Sequence, residues 1–151
     1  MKPRVMGIDY GTARIGVALS DELQMLAHPT ETITVAKTPN PAARVAAIAL
    51  EKNVERIVVG LPRHMNGSEG ASAEAARAFA ETLKTLVTCE VRTWDERLST
   101  VAAQRALQAV GKKTRQMRGI IDQVAAQMLL QSYLDSLPAN QGGGFEAMDF
   151  A

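Results

Sequence analysis

Residues 4 to 20 read Arg-Val-Met-Gly-Ile-Asp-Tyr-Gly-Thr-Ala-Arg-Ile-Gly-Val-Ala-Leu-Ser, and this stretch decides the fold class. Its two β-rich halves, 4–10 and 14–20, are separated by a glycine-containing turn, a pattern that predicts a tight hairpin. Side chains alternate along a strand, so Asp9 shares a face with Val5 at the mouth of the first strand. A carboxylate there costs stability unless a partner, commonly a metal ion, neutralises it. Asp9 is therefore the leading candidate functional residue, and an exposed aspartate beside a turn is the alternative.

The composition indicates one domain and excludes several classes of protein. The chain has 151 residues and a formal net charge of +1, which is enough length for a real core. No apolar run approaches a membrane span, and no apolar signal region follows the first four residues, so we expect a cytoplasmic protein without a membrane partner. The single cysteine, Cys89, cannot form an intramolecular disulfide, and no Cys/His spacing is typical of zinc. We expect Cys89 to be a buried strand residue.

The order of elements favours an α/β fold with three β-rich segments followed by alternating strands and helices. Strands are predicted over 4–10, 14–20, about 27–35, 56–60 and 89–94. Helices are predicted over 41–52, 71–86, from about 96 to 110, and 115–137. Asn40 is expected to cap the first helix and Pro41 to open it. Pro138 should end the last helix, which gives a domain over 1–138 and a disordered, glycine-rich tail over 139–151.

Further acids occur at comparable positions in the predicted fold. Asp95 and Glu96 close the last predicted strand, and alternation sends them to opposite faces. Asp122 lies early in the last helix, on a face of small and apolar residues that should point toward the sheet. Converging buried carboxylates usually coordinate a divalent cation, whereas an aspartate near a helix start can also serve the helix dipole.

A basic segment and a loop predict contacts to phosphate. Between Glu96 and Asp122 the chain has no acidic residue. The basic residues of this segment are Arg97, Arg105, Lys112, Lys113, Arg115 and Arg118. Such a segment beside acids indicates a phosphate-rich partner, although a solvated helix face is the plain alternative. Asn66 lies in a loop after a predicted strand, where α/β proteins usually carry their sites, but Asn66-Gly67 also reads as simple turn chemistry.

Several motifs, taken in order, resemble the YqgF/RuvX family across roughly residues 4–137. The motifs are Gly7-Ile8-Asp9-Tyr10-Gly11 with Arg14-Ile15-Gly16-Val17-Ala18, Gly60-Leu61-Pro62 with Asn66-Gly67, Asp95-Glu96-Arg97-Leu98-Ser99-Thr100, and Asp122-Gln123-Val124-Ala125-Ala126. The resemblance implies a ribonuclease H-like fold, in which a five-stranded mixed sheet has three antiparallel strands followed by two parallel ones, flanked by helices. This expectation agrees with the element order predicted from the pattern.

The resemblance also implies a metal-dependent nuclease with Mg²⁺ or Mn²⁺ held by Asp9, Glu96 and Asp122. We favour Glu96 because its longer side chain can reach a metal from a strand end, and Asp95 stays open as the alternative ligand. Arg14 and Arg97 are expected to contact the scissile strand, or else to neutralise the carboxylates. Substrate-binding roles are predicted for Asn66, Lys112, Lys113, Arg115 and Arg118.

The expected partner is nucleic acid, with pre-16S rRNA favoured and branched DNA of the Holliday junction type as the alternative. A non-catalytic RNA- or ribosome-binding module is also compatible with these residues, as are a monomer and a homodimer. Asp9-Tyr10-Gly11-Thr12 further resembles the first phosphate loop of the actin and sugar-kinase superfamily. A phosphate-binding ATPase of that superfamily needs two such domains around its nucleotide, and a chain of this length has room for one.

Overall fold

The computed structural model describes residues 2–62, 70–96 and 115–141, with side chains from residue 121 onward in the last range. The strands are Arg4–Asp9 (β1), Arg14–Ser20 (β2), Ala27–Thr34 (β3), Val54–Leu61 (β4) and Glu90–Asp95 (β5). The helices are Pro41–Glu51 (α1), Ala71–Leu86 (α2) and Arg115–Ser136 (α3), and a 3₁₀ turn spans Val35–Lys37. None of the helices in these ranges combines the length and apolar character needed to cross a bilayer.

The five strands form one sheet in the order β3-β2-β1-β4-β5. The three strands β1, β2 and β3 pair antiparallel through short connections. The pairs β1–β4 and β4–β5 are parallel, and the connection from β4 to β5 passes through α2. The predicted mixed sheet, with three antiparallel strands followed by two parallel ones, is therefore confirmed.

Both faces of the central strands are covered, which explains why β1, β2 and β4 are almost wholly buried. One face, with Met6 and Ile57, packs under the apolar stripes of α1 and α2. The other face, with Val5 and Val58, packs under α3, whose Tyr133 is 1 % exposed. The sheet thus separates α1 and α2 from α3, and Asp9 lies on the α3 side.

The start of α1 follows the predicted capping chemistry. The Asn40 side chain accepts a hydrogen bond of 3.1 Å from the backbone N–H of Ala43, and Pro41 occupies the first helical turn. The side chain satisfies one of the four helical N–H groups that have no partner within the helix. The expected boundary of α1 is confirmed to within a residue at its C-terminus.

The helix α3 lies unusually close to the sheet because a glycine faces it. A β-carbon at Gly7 would lie 2.7 Å from Cβ of Leu130 and 3.1 Å from the carbonyl oxygen of Ala126. Only a residue without a side chain leaves room for the helix at this depth. Close approach brings residues near the start of α3 down to the ends of the central strands.

Several details differ from the sequence-based expectations. The strand β4 starts at Val54, two residues early, because Val54 is buried and pairs with Arg4. Cys89 precedes β5 and is half-buried, so the expectation of a buried strand residue is wrong; partial burial still raises the pKa of its thiol. After α3 ends, a further helical turn reaches Gln141. The predicted loop over 63–69, the helix before 111 and the tail from 142 lie outside the described residues.

Candidate functional site

Asp9 is the last residue of β1 and lies on the face that α3 covers. Its side chain is only 5 % exposed, although a carboxylate at a strand end could have pointed to solvent. Gly16 of β2 is its direct partner across the antiparallel pair. On the other side, Gly60 of β4 follows Val59, the parallel partner of Ile8. Asp9 therefore stands between two glycines, on strands to either side of it.

Glu96 directly follows β5, and its side chain is 6 % exposed. Its carboxylate fills the space that the side chain of Gly60 would have occupied, since a β-carbon there would lie 2.9 Å from Oε2 of Glu96. Trp94 is the partner of Gly60 and contacts Tyr133 on the α3 face, so alternation directs Asp95 to the opposite face. The structure thus brings Glu96, and not Asp95, to the face that carries Asp9.

Asp122 comes to the same region from α3. Its backbone carbonyl covers Gly16, where a β-carbon would lie only 2.0 Å from the carbonyl oxygen. Its carboxylate accepts a hydrogen bond of 2.7 Å through Oδ2 from Nε of Arg14, the first residue of β2. The side chains of Arg14 and Asp122 are 34 % and 19 % exposed, so this ion pair is partly sheltered from water.

The two glycines beside Asp9 therefore have matching roles. Gly16 makes room for the helix that carries Asp122, and Gly60 makes room for the carboxylate of Glu96. Both were part of the family motifs, but neither was predicted to shape the site. Their signal in the sequence is weak: each is a glycine inside an otherwise apolar or β-branched strand, which often marks a close approach of another group.

A shallow pocket opens beside this cluster, with a volume of about 280 Å³. It is lined by Asp9, Tyr10, Gly11, Thr12, Ala13, Arg14, Asp122 and Ala125. Two carboxylates and one guanidinium face it together with the backbone of the β1–β2 turn. A negatively charged group can enter such a pocket only if the carboxylates are compensated by a cation or by the arginine.

The donor set suits a hard divalent cation, because carboxylate oxygens are the ligands that Mg²⁺ and Mn²⁺ prefer. Asp9 and Glu96 are both buried on the same face of the sheet, which groups carboxylate oxygens of the kind that such a cation takes as ligands. Within the described residues, however, no three side chains of His, Cys, Asp or Glu already converge closely enough to hold an ion. Asp122 is bonded to Arg14 instead, so a three-carboxylate site requires Asp122 to leave or share that pair.

Most of the predicted substrate-binding residues are not part of the described geometry. Asn66, Arg97, Lys112 and Lys113 lie outside the described residues. Arg115 and Arg118 belong to the first turns of α3 by their backbone, and their side chains are not described. Their roles stay predictions, whereas Arg14 lies in the pocket beside two of the candidate carboxylates.

Comparison with known proteins identifies relatives over most of the chain. Residues 3–136 match the family model described as "RuvX: Holliday junction resolvase". A Myxococcus xanthus protein named "Putative pre-16S rRNA nuclease" is 47 % identical over 133 residues, 88 % of each chain. A Bacillus cytotoxicus protein of the same name is 42 % identical over 135 residues, which cover 88 % of this chain and 98 % of the relative.

Solved structures confirm the fold class. The RuvC protein of T. thermophilus in complex with a Holliday junction substrate superposes with a TM-score of 0.51 at 16 % identity, over 93 % of this chain and 96 % of that one. The fowlpox virus resolvase bound to Holliday junction DNA gives a TM-score of 0.53 at 13 % identity, over 89 % and 99 %. At such identities the likeness concerns the fold, which is ribonuclease H-like as expected.

Proposed function

The chain belongs to the RuvX family, and we propose that it is a metal-dependent nuclease that hydrolyses phosphodiester bonds in structured nucleic acid. The substrate that we favour is pre-16S rRNA, cut at its 5′ end, because relatives at 47 % and 42 % identity are named as pre-16S rRNA nucleases. A substrate of this kind locates the reaction in the cytoplasm.

The observation that carries the proposal is the setting of Asp9. It is a buried carboxylate at a strand end, with Gly16 beside it under the backbone of Asp122 and Gly60 beside it under the carboxylate of Glu96. Glycines at two neighbouring strand positions and acids grouped between them both lower the stability of the fold. Such local cost is expected at a functional site.

In this function Asp9, Glu96 and Asp122 would hold Mg²⁺ or Mn²⁺. When bound, the cation would lower the pKa of a water molecule and neutralise charge on the phosphate. The protein's side chains would bind and orient the substrate. The guanidiniums of Arg14 and Arg97 can bind phosphate oxygens in pairs of parallel hydrogen bonds. The basic residues Lys112, Lys113, Arg115 and Arg118 supply backbone affinity that does not depend on sequence, and Asn66 is a further contact.

A second candidate substrate is branched DNA. The matching family model is described as a Holliday junction resolvase, and this description favours a four-way junction over rRNA. The ribonuclease H-like fold accepts either backbone, because phosphate contacts position a nucleic acid without identifying its sugar. Discrimination needs contacts to the 2′-hydroxyl or to the shape of the duplex.

The decisive experiment compares both substrates on one preparation of the full chain. A 5′-extended 16S rRNA precursor and a four-way DNA junction are each incubated with Mg²⁺, with Mn²⁺ and with a chelator. We expect cation-dependent shortening of the RNA, lost in Asp9→Asn. Cleavage of the junction alone would replace rRNA by branched DNA as the substrate. Cation-dependent binding without cleavage of either would indicate a non-catalytic nucleic-acid-binding module.

A further inference from the structure

We propose that Arg14 withholds Asp122 from the cation until a phosphate of the substrate takes over its guanidinium. The inference rests on the proposed function and adds regulation of the same site. Arg14 is a positioning residue in this scheme, because it acts on the cation through Asp122. When a phosphate of the substrate draws Arg14 away, Asp122 is free to join the metal site. The metal site is therefore complete only when nucleic acid is present.

The first observation is the ion pair itself. Nε of Arg14 lies 2.7 Å from Oδ2 of Asp122, so the carboxylate that should complete the metal site is already neutralised. Consistently, no group of three potential ligands in the described ranges is close enough to hold an ion. The carboxylate of Asp122 is therefore held by a positive charge that belongs to the protein.

The second observation concerns the hydrogen-bond donors of Arg14 that the ion pair leaves unused. Within the described part of the chain, Arg14 bonds to Asp122 through Nε, and its Nη groups make no hydrogen bond. Arg14 also lines the pocket with Asp9, so those donors belong to a side chain that an incoming phosphate can reach. A phosphate diester offers two oxygens to a planar fork of donors, a stronger arrangement than one contact to a carboxylate.

The two observations make cation and substrate binding interdependent. Asp122 cannot give its full charge both to Arg14 and to a divalent cation, and the guanidinium also repels the cation. A phosphate that draws Arg14 away therefore raises cation affinity. Linkage requires that the cation raises the affinity for phosphate by the same factor. Partly exposed ion pairs of this kind contribute up to about 1 kcal/mol, which corresponds to a factor of about 5 at most.

The test measures Mn²⁺ binding to the full chain from the electron paramagnetic resonance signal of the free ion, with and without a short phosphorothioate RNA that resists cleavage. The variants are Arg14→Ala and Arg14→Gln. The matched control is Arg44→Ala, which breaks an exposed pair with Glu31 of the same 2.7 Å length on another part of the surface.

In the unmodified protein, we expect the RNA to tighten Mn²⁺ binding by up to about 5-fold. Both Arg14 variants should bind Mn²⁺ tighter by a similar factor without RNA, and the RNA should add little further. They should also melt earlier than the unmodified protein without Mn²⁺ and gain more from its addition. Arg44→Ala should keep the unmodified Mn²⁺ affinity and its response to RNA.

Equal or weaker Mn²⁺ binding in the Arg14 variants would overturn the inference, because Arg14 would then orient Asp122 for the cation. If both variants failed to fold, an RNA-independent Mn²⁺ affinity of the unmodified protein would overturn it as well. Failure of the proposed function looks different: the Asp9→Asn variant would then bind Mn²⁺ as tightly as the unmodified protein does.

Discussion

The α-carbon of Gly60 faces the carboxylate of Glu96 so closely that a β-carbon would lie 2.9 Å from Oε2. The same β-carbon would lie 2.8 Å from a methyl group of Leu129 in α3. The space over Gly60 is thus shared by a candidate ligand and a core side chain. The glycine is needed for the position of the acid as well as for the packing of the helix.

The three acids should behave as a unit. Asp9→Asn, Glu96→Gln and Asp122→Asn should each lower cation-dependent cleavage by about 100-fold or more, since loss of groups that only support a metal ligand already costs 10- to 100-fold. Rates at saturating cation measure this effect, and circular dichroism verifies that each variant is folded.

The matched control for these variants is Asp95→Asn, which changes the neighbouring acid on the opposite face of β5. It should keep near-normal turnover. If Asp95→Asn loses activity and Glu96→Gln does not, the cation binds on the other side of the strand end and the site must be rebuilt around Asp95.

Alanine substitutions at the two glycines beside Asp9 should differ in their effects on stability and on cleavage. Gly16→Ala places a methyl group against the backbone of Asp122, which cannot move without shifting α3, so we expect a loss of about 1–3 kcal/mol or more in the free energy of unfolding. Gly60→Ala meets the end of the Glu96 side chain, which can rotate away. Its stability should fall by less than in Gly16→Ala, while cleavage falls about tenfold or more.

Urea unfolding and cleavage rates, measured on both glycine variants, check this contrast. Equal losses of stability would show that the methyl group of Leu129, and not the carboxylate of Glu96, dominates the environment of Gly60. Unchanged cleavage by Gly60→Ala would argue that Glu96 tolerates displacement and is no ligand.

A separate prediction concerns pH and a charge cluster at the start of β5. Hydrogen bonds from Arg56 and then Arg92 hold the pKa of Glu90 below its ordinary value of 4.5. The charged form is favoured in the folded state, so its stabilisation is present above that value and is lost as the pH falls through the lowered pKa. Because the side chain of Glu90 is 41 % exposed, we expect Glu90→Gln to cost at most about 1 kcal/mol at neutral pH.

The check on Glu90 is the urea midpoint of both proteins from neutral pH down to strongly acidic pH. The gap between Glu90→Gln and the unmodified protein should narrow as the pH falls below about 4.5. A gap that stays constant to acid would mean that the variant loses packing and not a charge interaction.

The basic segment before α3 should provide affinity for any sequence. Replacing Lys112 and Lys113 by alanine should weaken nucleic-acid binding and flatten the salt dependence by up to about 2 units, roughly 0.7–0.9 for each phosphate that is no longer neutralised. Turnover at saturating substrate should stay nearly unchanged. The control replaces Lys52 and Lys84, near the ends of α1 and α2, which removes the same charge from the face of the sheet that these two helices cover. If nucleic-acid binding had the same salt dependence in the two double variants, Lys112 and Lys113 would be solvated surface charges that contact no phosphate.

The sequence predicted the elements well because their signals are local. Runs of Val and Ile bounded by turns define β1 and β2, and Asn40-Pro41 marks the start of α1. The family motifs also identified Asp9, Glu96 and Asp122 as candidates. Alternation predicted that Asp95 and Glu96 face opposite sides of the sheet, but it did not decide which of them shares a face with Asp9.

What the sequence did not reveal depends on how distant elements meet. The ion pair of Arg14 and Asp122 joins residues 108 positions apart, and it requires both the sheet order and the rotation of α3 about its axis. The juxtaposition of Gly16 with Asp9 likewise needs the register of β1 against β2. Local propensity carries no information on either quantity, because register and helix rotation are fixed by packing over the whole core.

The wide separation of Arg14 from Asp122 has a consequence for the newly synthesised chain. Ribosomes add residues from the N-terminus, so Arg14 emerges 108 residues before Asp122 and the helix that carries it. A growing chain that lacks α3 has one face of the sheet uncovered and one candidate ligand missing. Catalytic competence should therefore appear only after synthesis has passed α3 and that helix has docked, so an unfinished chain cannot cut the nucleic acid around it.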